Sequence, residues 1–426
     1  MDYLPVVILL VLLAFNIQVA FAIGIAALSF FLLSGAMPVQ VFIQRLIAST
    51  QSFPLLAVPF FILTGAIMNE AGITRRMLNL AESLTGHMTG GLAQVNVLLS
   101  TLLSGMSGSA NADTAVQSKL LVPEMERRGY DVGYSAAVTA SSSVIAATIP
   151  PGIGLILYGF LGNVSIGSLF LAGVIPGLML AVLLMITAWI IARRRGYKPS
   201  REKPASWAER LTALRGAALA LLIPVGVVGG IRFGLFTATE AGAIAVIYAT
   251  VIGLMYRGLR WSSIPKVIVE TVLATAAIML IICAANAFGF YMSWVGIPKQ
   301  AAAFMVALTD NPIILLLLIN ILLLVVGMLI EGTALLILLT PILVPVAVEM
   351  GIDPVHFGIV MVLNLTLGGM TPPLGTLMFV ACSVTGVSIA KFVREALPFL
   401  AVLILALLLV TYVPQISLWL PTLGQE

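Results

Sequence analysis

The residues best equipped for chemistry gather in Ser104-Gly-Met-Ser-Gly-Ser-Ala-Asn-Ala-Asp113, where three serines, an asparagine and an aspartate stand between two apolar runs. Hydroxyl, amide and backbone oxygens at this density suit the binding of a small ion or a polar solute. Covalent chemistry fits less well. A serine nucleophile needs a base beside it, and the two histidines, His87 and His356, fall at predicted membrane edges away from Ser107 and Ser109. There is no His-Glu-x-x-His, Walker lysine loop or Gly-x-Gly-x-x-Gly, so zinc hydrolysis, ATP hydrolysis and dinucleotide binding lack their motifs. The expectation is a protein that is not an enzyme and carries no cofactor. Asp113 and Glu331 are the acids nearest the polar breaks. An acid inside apolar sequence is either a functional group or a helix N-cap, and the residue types allow both. Asn364 is open to the same choice, as a site residue or a packing amide.

These residues lie in a chain that is 61% hydrophobic and 9% charged, with a mean hydropathy of +1.14. A soluble domain carries about 25% charged residues, so the class is an all-α polytopic membrane protein. The basic excess, with a pI near 9.1, is assigned to loops facing the inner leaflet and gives no case for nucleic acid. Met1-Asp-Tyr-Leu-Pro lacks a basic signal-peptide start, so the first apolar run is expected to stay as a span. Cys283 and Cys382 both sit in apolar runs and are expected to pack as small hydrophobes.

In lipid, non-helical backbone survives only where protein or a cavity surrounds it, and each unpaired polar group costs roughly 2–7 kcal/mol. The Ser104 to Asp113 segment is therefore either a binding site or an ordinary exterior loop, and a second copy favours the site. Shifted by 222 residues, the chain lays Gly105 on Gly327, Pro123 on Pro345, Gly129 on Gly351, Asp131 on Asp353 and Pro150-Pro151 on Pro372-Pro373. Interrupted segments at matching places in two halves point to a transporter's binding site.

The elements that must position these residues follow in chain order. The run from Leu4 to Leu33 is long for one span, and Asn16-Ile-Gln18 in its middle suggests two, although one tilted helix is also compatible. Residues 38–52 form a mildly amphipathic piece, and a span runs from Phe53 to Asn69. The first half continues with a hairpin over 90–126, whose arms of about 12–14 residues are too short to span on either side of the polar break. A helix over 135–160 follows, broken at Pro150-Pro151. Two prolines remove two backbone donors, so the run is either a discontinuous span whose freed carbonyls near Ala146 to Ile149 face a cation or a helix with a plain proline kink. The first half spans residues 1–195, a basic cytoplasmic linker covers 196–215, and the second half covers 216–426 with a hairpin at 313–350 and a broken helix at 355–385. With hairpins counted as non-crossing, ten crossings result and five precede the linker, so the two repeats are inverted. Of the 21 basic residues, 17 then fall on one face, which is cytoplasmic by the positive-inside rule.

Four motifs resemble one family. Ser-Gly-x-Ser-Gly-Ser-Ala-x-Ala-Asp from Ser104, Ile149-Pro-Pro-Gly152, Thr237-Ala-Thr-Glu-Ala-Gly242 and Gly368-Gly-Met-Thr-Pro-Pro-Leu-Gly375 are similar, in order and spacing, to the large (DctM-type) membrane subunit of tripartite ATP-independent periplasmic (TRAP) transporters. The resemblance implies a multi-pass protein of the bacterial inner membrane and an elevator-type transporter. It implies sodium-coupled import of a small organic anion, such as a dicarboxylate or sialic acid, received from a soluble periplasmic binding protein. A small four-helix membrane subunit is the other implied partner, and Na+ is the coupling ion. Carried over by position, the sodium sites fall on Gly327, Gly368, Thr371 and Leu374, and through the internal shift on Gly105, Ala146, Ile149 and Gly152, with Ser104 as a nearby hydroxyl. Substrate is placed between the hairpin tips, at Ser107, Ser109, Asn111 and Thr333. Two other functions remain compatible with the residues: a dicarboxylate-sodium carrier working without a binding protein, and a channel or scaffold subunit that transports nothing.

Overall fold

A computed structural model describes residues 3–15, 17–35, 37–309 and 311–423. Among them every regular element is a helix. The opening run divides into α1 (Leu4–Ala14) and α2 (Val19–Leu33), which pack on each other. Isoleucine 17 and Gln18 of the expected turn lie outside both helices, while Asn16 falls outside the described residues. At 1.5 Å per residue these helices are about 16 and 22 Å long, short of the ~30 Å hydrocarbon core. The interfacial piece is α3 (Val39–Thr50), and the next span combines a 3-10 turn, Phe53–Leu56, with α4 (Ala57–Glu70). An amphipathic α5 (Ile73–Thr85) then leads into the first hairpin, α6 (Gly91–Ser107) and α7 (Ala110–Arg127).

The first hairpin corrects the sequence reading in one respect. The expected ten-residue break is only Gly108-Ser109, and its arms hold 17 and 18 residues. Gly108 turns the chain alone at φ +58°, a left-handed backbone that suits glycine. Ser109 then caps α7, accepting from the Ala112 N–H at 3.4 Å. Helix therefore runs through most of the polar segment, and its polarity lies in the side chains.

The broken helix consists of α8 (Val132–Thr148) and α9 (Ile153–Leu161), bent by 42° across the proline pair. A 30-residue α10 (Ile166–Arg195) follows, and the linker after it is shorter than expected because α11 (Trp207–Arg232) begins inside it. The cause is local: Ser206 and Glu209 form a reciprocal capping box, which starts a helix. Next come α12 (Ala238–Met255), α13 (Ile264–Val295) and α14 (Ile297–Leu308). The second hairpin is α15 (Pro312–Gly327) and α16 (Gly332–Glu349), and the second broken helix is α17 (Pro354–Gly368) and α18 (Thr376–Thr385). The chain closes with α19 (Ile389–Tyr412) and α20 (Gln415–Thr422). Seven helical segments among the described residues are long and apolar enough to cross a membrane, or eight counting the bent α8–α9 pair.

Packing sorts these helices. The outer helices α2, α3, α4, α11, α12 and α13 contact one another, with large hydrophobic side chains such as Leu222, Ile247 and Val272 exposed. Inside, α7 lies on α8 and α18, α16 lies on α9 and α17, and α8 meets α17, so the two halves interlock through their hairpins. Buried amides and hydroxyls fasten the first arm of each hairpin to its broken helix. Asn96 donates to Thr139 at 2.6 Å and Ser100 to Ser142 at 2.7 Å, while Asn364 donates to the Asn320 side chain at 2.8 Å and Asn320 to Thr411 at 3.0 Å. Asn364 is thus held through its amide nitrogen, while its Oδ1 is buried without a protein partner. His356, expected at a membrane edge, is buried against Ser417 and the Thr411 carbonyl.

Removing one partner from a buried pair leaves the other unsatisfied, at a cost of about 1–3 kcal/mol. Asn364→Val is therefore expected to lower the thermal unfolding midpoint in detergent, with Asn320→Val,Asn364→Val together recovering part of the loss. An unchanged midpoint in the single variant would show that this network does not hold the second hairpin.

Candidate functional site

Both hairpin tips meet the break of the broken helix in their own half. The Ile153 N–H donates to the Gly108 carbonyl at 3.2 Å, and the Leu374 N–H donates to the Met328 carbonyl at 3.0 Å. Small residues make this approach possible. A Cβ on Gly108 would lie 2.2 Å from the Pro151 oxygen, and one on Gly368 would lie 2.8 Å from backbone atoms of Gly327. Gly327 and Gly368, chosen from sequence, are therefore in backbone contact.

The prolines at each break carry no N–H. Pro150 and Pro151 thus leave the carbonyls of Ala146 and Ala147 without the donors a continuous helix would supply, and Pro372 and Pro373 do the same for Gly368 and Gly369. In the second half these oxygens are partly used: the Thr371 N–H reaches Gly368 at 2.9 Å, and the Leu377 N–H reaches Gly369 at 2.9 Å. Thr371 also bonds through its hydroxyl to the Leu367 carbonyl at 3.1 Å. Gly152 and Gly375 precede α9 and α18, and a Cβ on either would stand within 2.6 Å of the Ala147 or Gly369 oxygen. The residue standing where Gly152 stands is therefore Gly375, one place beyond Leu374. Ile149 lies in the first break, Ala146 is buried in the last turn of α8, and Ser104 is buried with its hydroxyl given to the Thr101 carbonyl at 2.6 Å. Gly105 faces both Pro224 of α11, which a Cβ there would meet at 2.5 Å, and the break, with the Pro150 oxygen 3.6 Å from the same position.

A cavity of about 130 Å³ lies between the tips. Ser109, Asn111 and Thr333, three of the four substrate candidates, line it together. Ser107 instead lines a neighbouring cavity of about 340 Å³ between the first hairpin and helices α4 and α13, which Ser109 also reaches. The tip cavity receives the first turns of four helices: Ala110 and Asn111 of α7, Ile153 and Gly154 of α9, Gly332 and Thr333 of α16, and Thr376 and Leu377 of α18. Helix N-termini carry about half a positive charge each and bind anions through free N–H groups. Glu331 is a helix N-cap: its carboxylate caps α16 through the Ala334 N–H at 2.9 Å and accepts from Thr333 at 2.7 Å, and the residue also lines the cavity. The Oδ1 of Asn111 is buried there without a protein partner. Asp113 is 4% exposed, lines the neighbouring cavity, and leaves one oxygen unpartnered. No cluster of three metal-ligating His, Cys, Asp or Glu side chains occurs among the described residues.

Sequence reasoning missed Gly108, Thr366, Gly369, Thr376 and Gly375. The glycines carried a signal, since they flank the breaks. The two threonines carried none, because they reach the cavity only through packing between halves.

The model of the tripartite ATP-independent periplasmic transporter DctM component matches residues 6–416. The chain belongs to the DctM family. It is 42% identical over 409 residues to the sialic acid TRAP transporter large permease SiaM of Vibrio cholerae, covering 96% of this chain and 95% of that one. It is 38% identical over 398 residues to the C4-dicarboxylate TRAP transporter large permease DctM of Pseudomonas aeruginosa, covering 91% and 93%. Among solved structures, the YdaH transporter of Alcanivorax borkumensis has a similar fold, with a TM-score of 0.67 at 14% identity over 91% of each chain. This DctM-family chain is thus a multi-pass TRAP large permease and a transporter subunit, not an enzyme.

Two glycines separate backbone strain from tip packing. Gly129, at φ +82°, has open space around its Cβ position, so Gly129→Ala is expected to cost about 1–2 kcal/mol from left-handed strain alone. Gly108→Ala adds the clash with Pro151 and is expected to cost about 1–3 kcal/mol more. Side-by-side thermal unfolding in detergent checks the order, and equal losses would remove the argument that Gly108 is needed for tip contact.

Proposed function

We propose that this DctM-family permease imports a small organic anion across the bacterial inner membrane, coupled to Na+, by an elevator motion of the interlocked hairpins and broken helices against the outer helices. The observation that carries this reading is the tip cavity lined by residues from the first turns of four helices. An organic carboxylate suits the partial positive charge of those helix ends. The carbonyls of Ala146 and Ala147, which lose their helical donors, with Ser104 nearby, offer the hard oxygen ligands that Na+ prefers, and the second half offers Thr371 and the Gly368 oxygen, which already accepts from the Thr371 N–H. Anion and cation then bind within one electrostatic unit, each offsetting the other's charge. That arrangement supports symport.

The names of the relatives favour a carboxylate substrate, a sialic acid or C4-dicarboxylate in the two compared above. Family membership supports two partners, a small membrane subunit and a soluble periplasmic binding protein. The internal shift of 222 residues, with hairpin and broken helix recurring in each half, supports two inverted repeats. The exposed apolar side chains of the outer helices are the surface available to lipid and to the small subunit.

Reconstitution of the permease with its small subunit in liposomes is the direct test. Uptake of labelled sialic acid or C4-dicarboxylate is expected to require both an inward Na+ gradient and the binding protein, and to be indifferent to ATP. Gly327→Val and Gly368→Val, which push apart touching backbones, are expected to abolish Na+-dependent uptake while the protein still inserts. Uptake without a binding protein would favour an independent carrier, and unsaturable ion conduction a channel. A cysteine at Ser109, in a background lacking Cys283 and Cys382, should change its labelling by an impermeant thiol reagent when substrate and binding protein are added. Equal labelling in every condition would end the elevator reading.

A further inference from the structure

A cavity of about 760 Å³ lies at the base of the first hairpin, between α5 and α7. Helical spacing builds its sides, because residues three or four apart share a face: Arg75 and Leu78 on α5, and Val116, Leu120 and Glu124 on α7. The lining is of two kinds. Leu78 and Val116 are half-buried and Leu120 is 38% exposed, which leaves apolar surface uncovered. Arg75, Lys119, Arg127 and Arg128 line the same cavity, and all four are exposed.

Some of this charge is already engaged. Glu124 pairs with Arg127 at 3.2 Å and Arg128 at 2.9 Å, and Arg128 also donates to the Ser200 carbonyl at 2.9 Å. Arg76, next to Arg75, lies 3.8 Å over the Tyr256 ring and does not line the cavity. Arg75 and Lys119 enter none of the ion pairs found among the described residues. Glu82 is the remaining carboxylate in the lining, and one acid cannot offset both cations. Positive charge is therefore left over beside apolar surface. The end of α7 and the Ser200 linker place the cavity on the basic face, which the positive-inside rule assigns to the cytoplasm and its anionic leaflet.

We propose that this cavity holds an anionic phospholipid of the cytoplasmic leaflet, its phosphate held by Arg75 and Lys119 and an acyl chain lying along Leu78, Val116 and Leu120. The inference goes beyond transport and does not depend on what the tip cavity binds. Basic pockets between helices at this surface take lipid headgroups, and a guanidinium forks a phosphate through two parallel hydrogen bonds. A soluble phosphate would satisfy the same two cations but has no use for the apolar residues beside them. A phospholipid satisfies both. Because α5 packs on α11 of the outer set as well as on α6 of the hairpin, a lipid lodged between α5 and α7 would touch both groups of helices.

The full-length permease in nanodiscs tests this. A bimane fluorophore on Leu120→Cys, with Cys283 and Cys382 replaced by alanine, reports lipid contact through quenching by phospholipids brominated on their acyl chains. The mole fraction giving half-maximal quenching is expected to be about threefold to tenfold lower for brominated phosphatidylglycerol than for brominated phosphatidylcholine, the effect of roughly one cation at an anionic surface. R75Q/K119Q should bring the two fractions together. The same label on Ile247→Cys, exposed on α12, should show no preference. Equal quenching by the two lipids at Leu120→Cys, or an equal preference at Ile247→Cys, would overturn the proposal. Complete loss of the preference in millimolar glycerol 1-phosphate would also overturn it, by assigning the two cations to a soluble phosphate ester. If the labelled variant folds poorly, mass spectrometry of the unlabelled permease released from phosphatidylglycerol nanodiscs reads the retained lipid directly. Equal retention by the unaltered protein and R75Q/K119Q would then be the overturning result.

Discussion

Each hairpin tip is pinned to the break in its own half by a backbone hydrogen bond, Ile153 to Gly108 in the first and Leu374 to Met328 in the second. In a bilayer neither lipid nor bulk water can satisfy a backbone that leaves helical geometry. A tip and a break are each such a departure, and placing them together lets one supply what the other lacks. Glycine at 108, 327 and 368 removes the side chains that would hold the backbones apart. The buried pairs Asn96–Thr139 and Asn320–Asn364 keep the hairpin arms aligned with α8 and α17 so that the tips arrive in register.

The same breaks set the electrostatics. A broken helix presents a carbonyl end and an N–H end only a few residues apart, Ala147 and Ile153 in one half, Gly369 and Thr376 in the other. The N–H ends, joined by those of α7 and α16, converge on the tip cavity. Partial charges at helix termini fall off within about one turn, so the site's polarity is local and needs no cationic side chain. Glu331 fits this economy, since its carboxylate is held by the Ala334 N–H and the Thr333 hydroxyl. Under the proposed coupling, a bound cation at the carbonyl ends would deepen the well for an anion at the N–H ends, and the reverse.

Much of this was legible from sequence because proline and glycine act locally. Pro150-Pro151 and Pro372-Pro373 mark both breaks, and the hairpin and broken-helix limits lie within three residues of those expected. Capping chemistry was the part overlooked. Ser109 and the Ser206–Glu209 box begin helices inside stretches whose polarity suggested loop. Positions that acquire meaning only through packing stayed hidden. Thr366 and Thr376 look like ordinary hydroxyls in apolar helices, and it is the contact of α16 with α9, and of α7 with α18, that brings their surroundings together. Seven or eight candidate spans among the described residues also leave the count of ten crossings as an expectation, because α1, α2, α15 and α17 are short.

The two halves carry the same order of elements in different environments. Gly327 meets Gly368, so the second hairpin closes on its own broken helix. Gly105, its counterpart, instead fits under Pro224 of α11, and Gly65 of α4 approaches the Met106 carbonyl, with a Cβ there 3.2 Å away. The first hairpin therefore rests on outer helices along part of its length. Space opens beside α6 and α7, where Ser107, Asp113 and Val116 line the 340 Å³ cavity together with residues of α4 and α13. The polar residues of the first hairpin thus cap α7 through Ser109 and line two cavities, whereas in its partner, Gly327 to Thr333, Glu331 caps α16 and lines the tip cavity with Thr333.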